Sequence, residues 1–170
     1  MFGVVMSTLT SDFPGAYVKL PRSLPRRKMR EVVLQILYAL SMDPSSEASL
    51  VPLVMSETAV AQRHVLLALN TSKEILAKSL ELDVLISQTI KTISFSKLTL
   101  MEKNVLRLTL FEYFYNDKPI STAILIAEAT RLIKKFSYVE ACALIYAVLN
   151  DIFRLSLPTI ENSETRLICG

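Results

Sequence analysis

Glycine is almost missing from this chain of 170 residues: Gly3, Gly15 and Gly170 are all it contains, so positions 16 to 169 hold none. Tight hairpins, phosphate-cradling loops and nucleophile elbows draw on glycine for positive φ or for close backbone approach. Their scarcity leaves helices joined by short loops. Histidine occurs once, as His64, and cysteine twice, as Cys142 and Cys169. These residues form neither a metal-ligand spacing nor a disulfide framework, which fits a reducing cytoplasm and predicts no metal and no cofactor. His64 stands between Arg63 and Val65 and reads as a helix-surface or core histidine. Asp151, Glu140 and Glu112 lack an evident nucleophile or metal partner, so catalysis is not expected. Long apolar runs are also absent. The longest, around Ala141 to Leu149, is far short of a bilayer span. Met1 to Met6 is apolar, but no basic region precedes it and no clear small-residue cleavage site comes after it before Asp12 and Pro14, so secretion is not expected.

What the chain does have is hydrophobic residues at 51% against 21% charged, enough for one domain with a substantial core. Residues 1–25 carry Pro14, Gly15, Pro21 and Pro25 without sustained periodicity and read as a flexible leader; residues 156–170 read as a polar tail. Between them the pattern is all-α. A helix is predicted from Arg26 to about Leu40, burying Met29, Val32, Val33, Ile36, Leu37 and Leu40, and ending at Asp43 to Ser46. A second begins near Leu50 and a third covers roughly Glu57 to Leu69, with Asn70, Thr71 and Ser72 capping or interrupting the next segment. Leu76, Leu80, Val84 and Leu85 carry the periodicity on, with a break near Leu82, until Ser94 and Ser96 mark a loop. Thr99 and Glu102 form a capping box that starts a central buried helix at Leu100. Asn116 to Pro119 end that helix, Ser121 caps another, and the last runs from about Tyr138 to Arg154.

The net charge of +3 is modest, but its distribution is lopsided. Lys19, Arg22, Arg26, Arg27, Lys28 and Arg30 put six cations in twelve residues, with no acid between Asp12 and Glu31. Cations in a first helical turn oppose the helix dipole and repel one another at spacings of three and four. A local rule broken in this way marks a candidate functional site, and phosphate would neutralise the repulsion. The competing reading is a solvated face tethered by an Arg27 to Glu31 pair.

Three blocks of sequence resemble one family. RRKMREVVLQILYAL at Arg26 to Leu40 is similar to the opening helix of the transcription antitermination factor NusB family, where an arginine-rich start leads into an LQxLY pattern. LDVLISQ at Leu82 to Gln88 and KTISFSKLTLMEKNVLRLTLFEYFY at Lys91 to Tyr115 resemble the family's central stretch. EATRLIKKF at Glu128 to Phe136 and VLNDIFR at Val148 to Arg154 resemble its closing segments. The resemblance implies about seven helices in two packed subdomains, here about 26–80 and 82–155. It also implies a non-enzymatic bacterial protein that binds the boxA element of nascent ribosomal RNA. The implied partners are a small-subunit ribosomal protein acting as NusE and the RNA polymerase antitermination complex. No membrane partner is implied, and a homodimer is left open because some resembling proteins dimerise through the surface that otherwise meets RNA.

Carried over by position, Arg26, Arg27, Lys28 and Arg30 would contact RNA, with Tyr38, Lys134, Lys135 and Glu140 on the same surface. Glu102, Lys103, Arg107 and Glu112 would lie on the partner-facing helix, although paired structural charges explain Arg107 and Glu112 as well. The chain departs from the family pattern after Phe136. Ser137 replaces a glycine, Glu140 stands at an aspartate, and Ala141, Ala143, Leu144, Tyr146 and Ala147 replace serine, lysine, phenylalanine, asparagine and glycine. Ala123 and Ala127 likewise replace a lysine and an asparagine. These changes support a second expectation, a helical adaptor that keeps its protein partner and has lost selective RNA binding. Domains of this kind also occur joined to RNA methyltransferases, but no glycine-rich cofactor motif is present here.

Overall fold

A computed structural model describes residues 23–156, and within that span seven α-helices account for the regular structure beyond two short 3₁₀ turns, with no strand. They are α1 (Arg26–Met42), α2 (Glu47–Thr58), α3 (Gln62–Ala77), α4 (Ser79–Thr89), α5 (Leu100–Tyr115), α6 (Thr122–Phe136) and α7 (Ala141–Ser156). Lys19, Arg22 and nearly all of the expected leader and tail lie outside the described residues.

Two helices have little surface left for solvent. On α1, Val32, Val33, Leu34, Ile36 and Leu37 are all buried, because the helix packs against α2, α3 and α5 together. On α5, apolar residues on several sides are needed for the same reason: Val105, Leu106, Leu108 and Leu110 are buried while the helix meets α1, α3, α4, α6 and α7. The outer helices α6 and α7 are more clearly amphipathic. Leu125, Ala129, Leu132 and Ile133 of α6 face inward, as do Ile145, Val148, Leu149 and Ile152 of α7. Residues from both halves of the chain join one continuous core.

Local chemistry sets most of the boundaries. Pro25 precedes α1 and its carbonyl accepts from the Met29 amide at 2.9 Å, while Leu24 packs half-buried against the core. The Asp43 carboxylate accepts from the Ser45 amide at 2.9 Å and hydroxyl at 2.6 Å, which turns the chain after α1. The capping box of α5 forms as expected: Glu102 N–H donates to the Thr99 hydroxyl at 3.2 Å, and Thr99 N–H to the Glu102 carboxylate at 2.8 Å. Ser121 occupies the N-cap position of α6 but makes no side-chain capping bond.

Several expected boundaries move, among them the starts of the second helix, from Leu50 to Glu47, and of the third, from Glu57 to Gln62. The third helix does not stop at Asn70 to Ser72: α3 continues to Ala77, because buried Ser72 donates to the carbonyls of Ala68 at 2.8 Å and Val33 at 3.1 Å instead of capping. The break expected near Leu82 falls at Lys78, and Leu82 is buried inside α4. The final helix starts at Ala141 after a turn in which Ala141 and Cys142 donate to the carbonyls of Tyr138 and Val139.

Candidate nucleic-acid interface

The basic start of α1 has no acid in its first turn and no side-chain cap. Its neighbours carry the counter-charge. Across 101 residues of sequence, Arg27 Nε donates to Glu128 Oε1 on α6 at 2.9 Å. Arg30 is enclosed, its side chain 7% exposed; Nε lies 2.9 Å from both Glu112 oxygens on α5, and a terminal nitrogen lies 3.4 Å from Glu128. Glu31 does not pair with Arg27. It accepts from Arg131 at 2.6 Å and Lys135 at 2.6 Å, both on α6, while Arg131 also reaches Glu128 at 3.0 Å and the Arg27 carbonyl at 3.3 Å. One ionic network therefore ties the first turns of α1 to α5 and α6.

The network's carboxyls respond differently to their surroundings. Burial would raise Glu31 and Glu128, but donors overcome it and hold both below the usual glutamate range: Lys135 and Arg131 at Glu31, and Arg131, Arg30 and Arg27 at Glu128. Burial wins at Glu112, whose carboxyl is raised despite the opposing charges of Arg30 and Arg26. The Arg131 guanidinium, although partly desolvated, is held more firmly protonated by Glu31 and Glu128.

The predicted residues thus divide. Arg26 is exposed and lines a groove of about 500 Å³ with Met29, Phe111 and Asp117; Lys28 is half-buried. Arg27 is 73% exposed although one edge of its guanidinium is engaged. Arg30 lacks the exposure that direct phosphate contact requires, because its donors face Glu112 and Glu128. Tyr38 lines a separate cavity of about 320 Å³ with Phe136 and Tyr138. Lys134 is exposed at the end of α6, Lys135 is held by Glu31, and Glu140 is exposed in the turn before α7. Sequence reasoning did not single out Arg131 or weigh Glu128 as a counter-charge; their spacing of three on one helix was the available signal.

On α5, Glu102 serves its capping box. Arg107 donates to both Asp83 oxygens at 2.7 and 2.6 Å and to Asn104 at 3.0 Å, while Glu112 belongs to Arg30. Lys103 lies half-buried with its ammonium 4.8 Å from the Phe95 ring centre. His64 is half-buried on α3. Among the described residues no cluster of three metal-binding side chains occurs, and no helix is long and apolar enough to cross a membrane.

Known proteins resemble this chain in sequence and fold. The NusB family model matches residues 27–154. The transcription antitermination protein NusB of Chlamydia pneumoniae is 60% identical over 149 residues, covering 87% of this chain and 92% of the relative. Its counterpart in Chlamydia muridarum is 51% identical over 152 residues, covering 88% and 93%. Among solved structures, T. maritima NusB superposes with a TM-score of 0.64 at 22% identity, covering 78% of this chain and 93% of that one. NusB from Aquifex aeolicus gives 0.60 at 20% identity, covering 86% and 100%. The all-helical architecture, the extent of the family match and the bacterial relatives agree: this chain belongs to the NusB family.

Proposed function

We propose that the chain acts in the bacterial cytoplasm as a non-enzymatic transcription antitermination factor that binds boxA-type single-stranded RNA. In this reading a small-subunit ribosomal protein in the NusE role binds beside it, and the pair joins RNA polymerase. The observation that carries the proposal is the first turn of α1: Arg26 and Arg27 are exposed with Lys28 half-buried beside them, no acid lies in the turn, and the network beneath fixes the helix. Arginine forks suit phosphate oxygens and also stack on open bases, which single-stranded RNA presents. A protein partner is supported by α4, where Leu80 and Val84 lie one helical turn apart with 82% and 53% of their surface exposed. The relatives' names, transcription antitermination protein NusB, support the same process.

Binding of boxA-type and scrambled RNA, with and without the ribosomal protein and across a salt series, tests the reading. Replacing Arg26 and Lys28 by alanine should weaken binding and flatten the slope of log K against log salt by about 0.7 for each phosphate no longer neutralised. Arg30→Ala should instead unfold more easily, by about 3 kcal/mol, since it leaves the largely buried Glu112 carboxylate without its partner while Glu128 keeps Arg27 and Arg131. An unchanged slope in the double variant would remove the site. Equal weak affinity for both RNAs under every condition would favour the adaptor, a reading that the alanines at Ala123 and Ala127 keep in play.

A further inference from the structure

The groove of about 500 Å³ that Arg26 lines lies between α1, α3 and α5. Its lining covers about two turns of each helix, roughly 10 Å, from Arg26 to Val33, from Leu67 to Glu74 and from Leu108 to Tyr115. Met29, Val33, Leu108 and Phe111 give it an apolar floor, all four of them buried or half-buried. Leu67 and Tyr115 also line it, yet they keep 54% and 37% of their surface in solvent. The charges are mixed. Arg30 and Glu112 answer one another, whereas Glu74 and Asp117 are exposed and make no ion pair among the described residues.

We propose that this groove holds the chain's own residues Val18, Lys19 and Leu20, lying extended with the two apolar side chains on the floor and the Lys19 ammonium at the Glu74 and Asp117 carboxylates. The position of the chain favours this occupant. Residues 1–22 lie outside the described part and lead into Ser23, three residues before Arg26, which itself lines the groove. Leu20 is three residues further back, a reach of about 10 Å. A segment tethered so closely meets the groove at a high effective concentration, ahead of any second copy of the chain.

The sequence of the segment fits as well. Pro21 pushes Leu20 out of the helical region into extended backbone, as Pro25 does for Leu24, so the approach to α1 is stiff and extended. In extended chain alternate side chains share a face, which sets Val18 and Leu20 together and Lys19 opposite. Three such residues cover about 10 Å, the length of the groove. Lys19 has a stem long enough to cover apolar surface while its charge stays in water at the rim. An RNA strand is disfavoured in the same place, because Glu74 and Asp117 would face its phosphates.

The chain contains no tryptophan, so Leu20→Trp in the full-length protein puts a single fluorescent reporter on the docking segment. Its emission should be blue-shifted and shielded from iodide. Leu67→Lys and Glu74→Lys, both at exposed positions and checked for unchanged helical circular dichroism, should each move the emission to the red and restore quenching. Nuclear magnetic resonance of the unaltered chain removes dependence on the reporter: the Leu20 methyls should be shifted upfield by the Phe111 and Tyr115 rings and show cross-peaks to them. A solvent-like tryptophan together with Leu20 methyls free of such cross-peaks would overturn the assignment. So would shielding that is lost on dilution, which would give the groove to the leader of a second copy, or shielding that both groove variants leave intact.

Discussion

The arginines at the start of α1 look alike in sequence and differ in place. Arg30 and Arg27 are three residues apart, yet one is enclosed between Glu112 and Glu128 and the other holds Glu128 by a single edge. The sequence identified the cluster as unusual; it could not separate these roles, because the deciding carboxylates lie 82 and 101 residues away. Glu112 gives this a measurable consequence. Its carboxyl is raised in the folded state, so the native protein binds more protons than the unfolded chain between about pH 4.5 and that raised value, and stability from this group grows as pH falls through the window. Glu31 and Glu128 are lowered, so their contribution is intact above about pH 4.5 and is lost only on further acidification. Urea melts from pH 7 to pH 4.5 should show Glu112→Gln lacking an acid-side gain that the unaltered chain displays. Parallel pH profiles for the two proteins would contradict the assignment.

At the scale of elements, the scarcity of glycine leaves a mark at the end of α2. That helix closes at Ala59, whose φ of 53° and ψ of 35° place a side-chain-bearing residue in the left-handed region where glycine is usual. A Cβ there costs about 1 kcal/mol, offset only partly by the smaller entropy of the unfolded alanine chain. Ala59→Gly should therefore raise stability by about 0.5 kcal/mol, read as a higher urea midpoint with the same m-value. A lower midpoint would show that the left-handed turn is not strained. Helix number, the α5 capping box and the centrality of α5 were legible because cap chemistry and all-round apolarity are local signals. The extent of α3 was not: Ser72 looks like a cap in sequence and becomes a buried donor once α1 lies beside it. Nor was the start of α2 at Glu47, three residues ahead of Leu50, evident; it sets Pro52, which cannot donate, inside the helix rather than in its first turn.

For the whole molecule, the expected halves share one core, since Leu34 and Leu37 of α1 belong to the same buried cluster as Leu106 of α5 and Leu149 of α7. The ionic network adds a second link between them. Urea unfolding monitored by helical circular dichroism and by tyrosine fluorescence should accordingly give coincident single transitions. Two separated midpoints would divide the chain into independently folding parts. Glu128 carries a consequence at this scale too, for it answers to Arg27, Arg30 and Arg131 at once. A lineage that discards this acid must rewrite three further codons, two of them in a distant helix, so in any collection of descendants the four positions should drift as a unit or stay put.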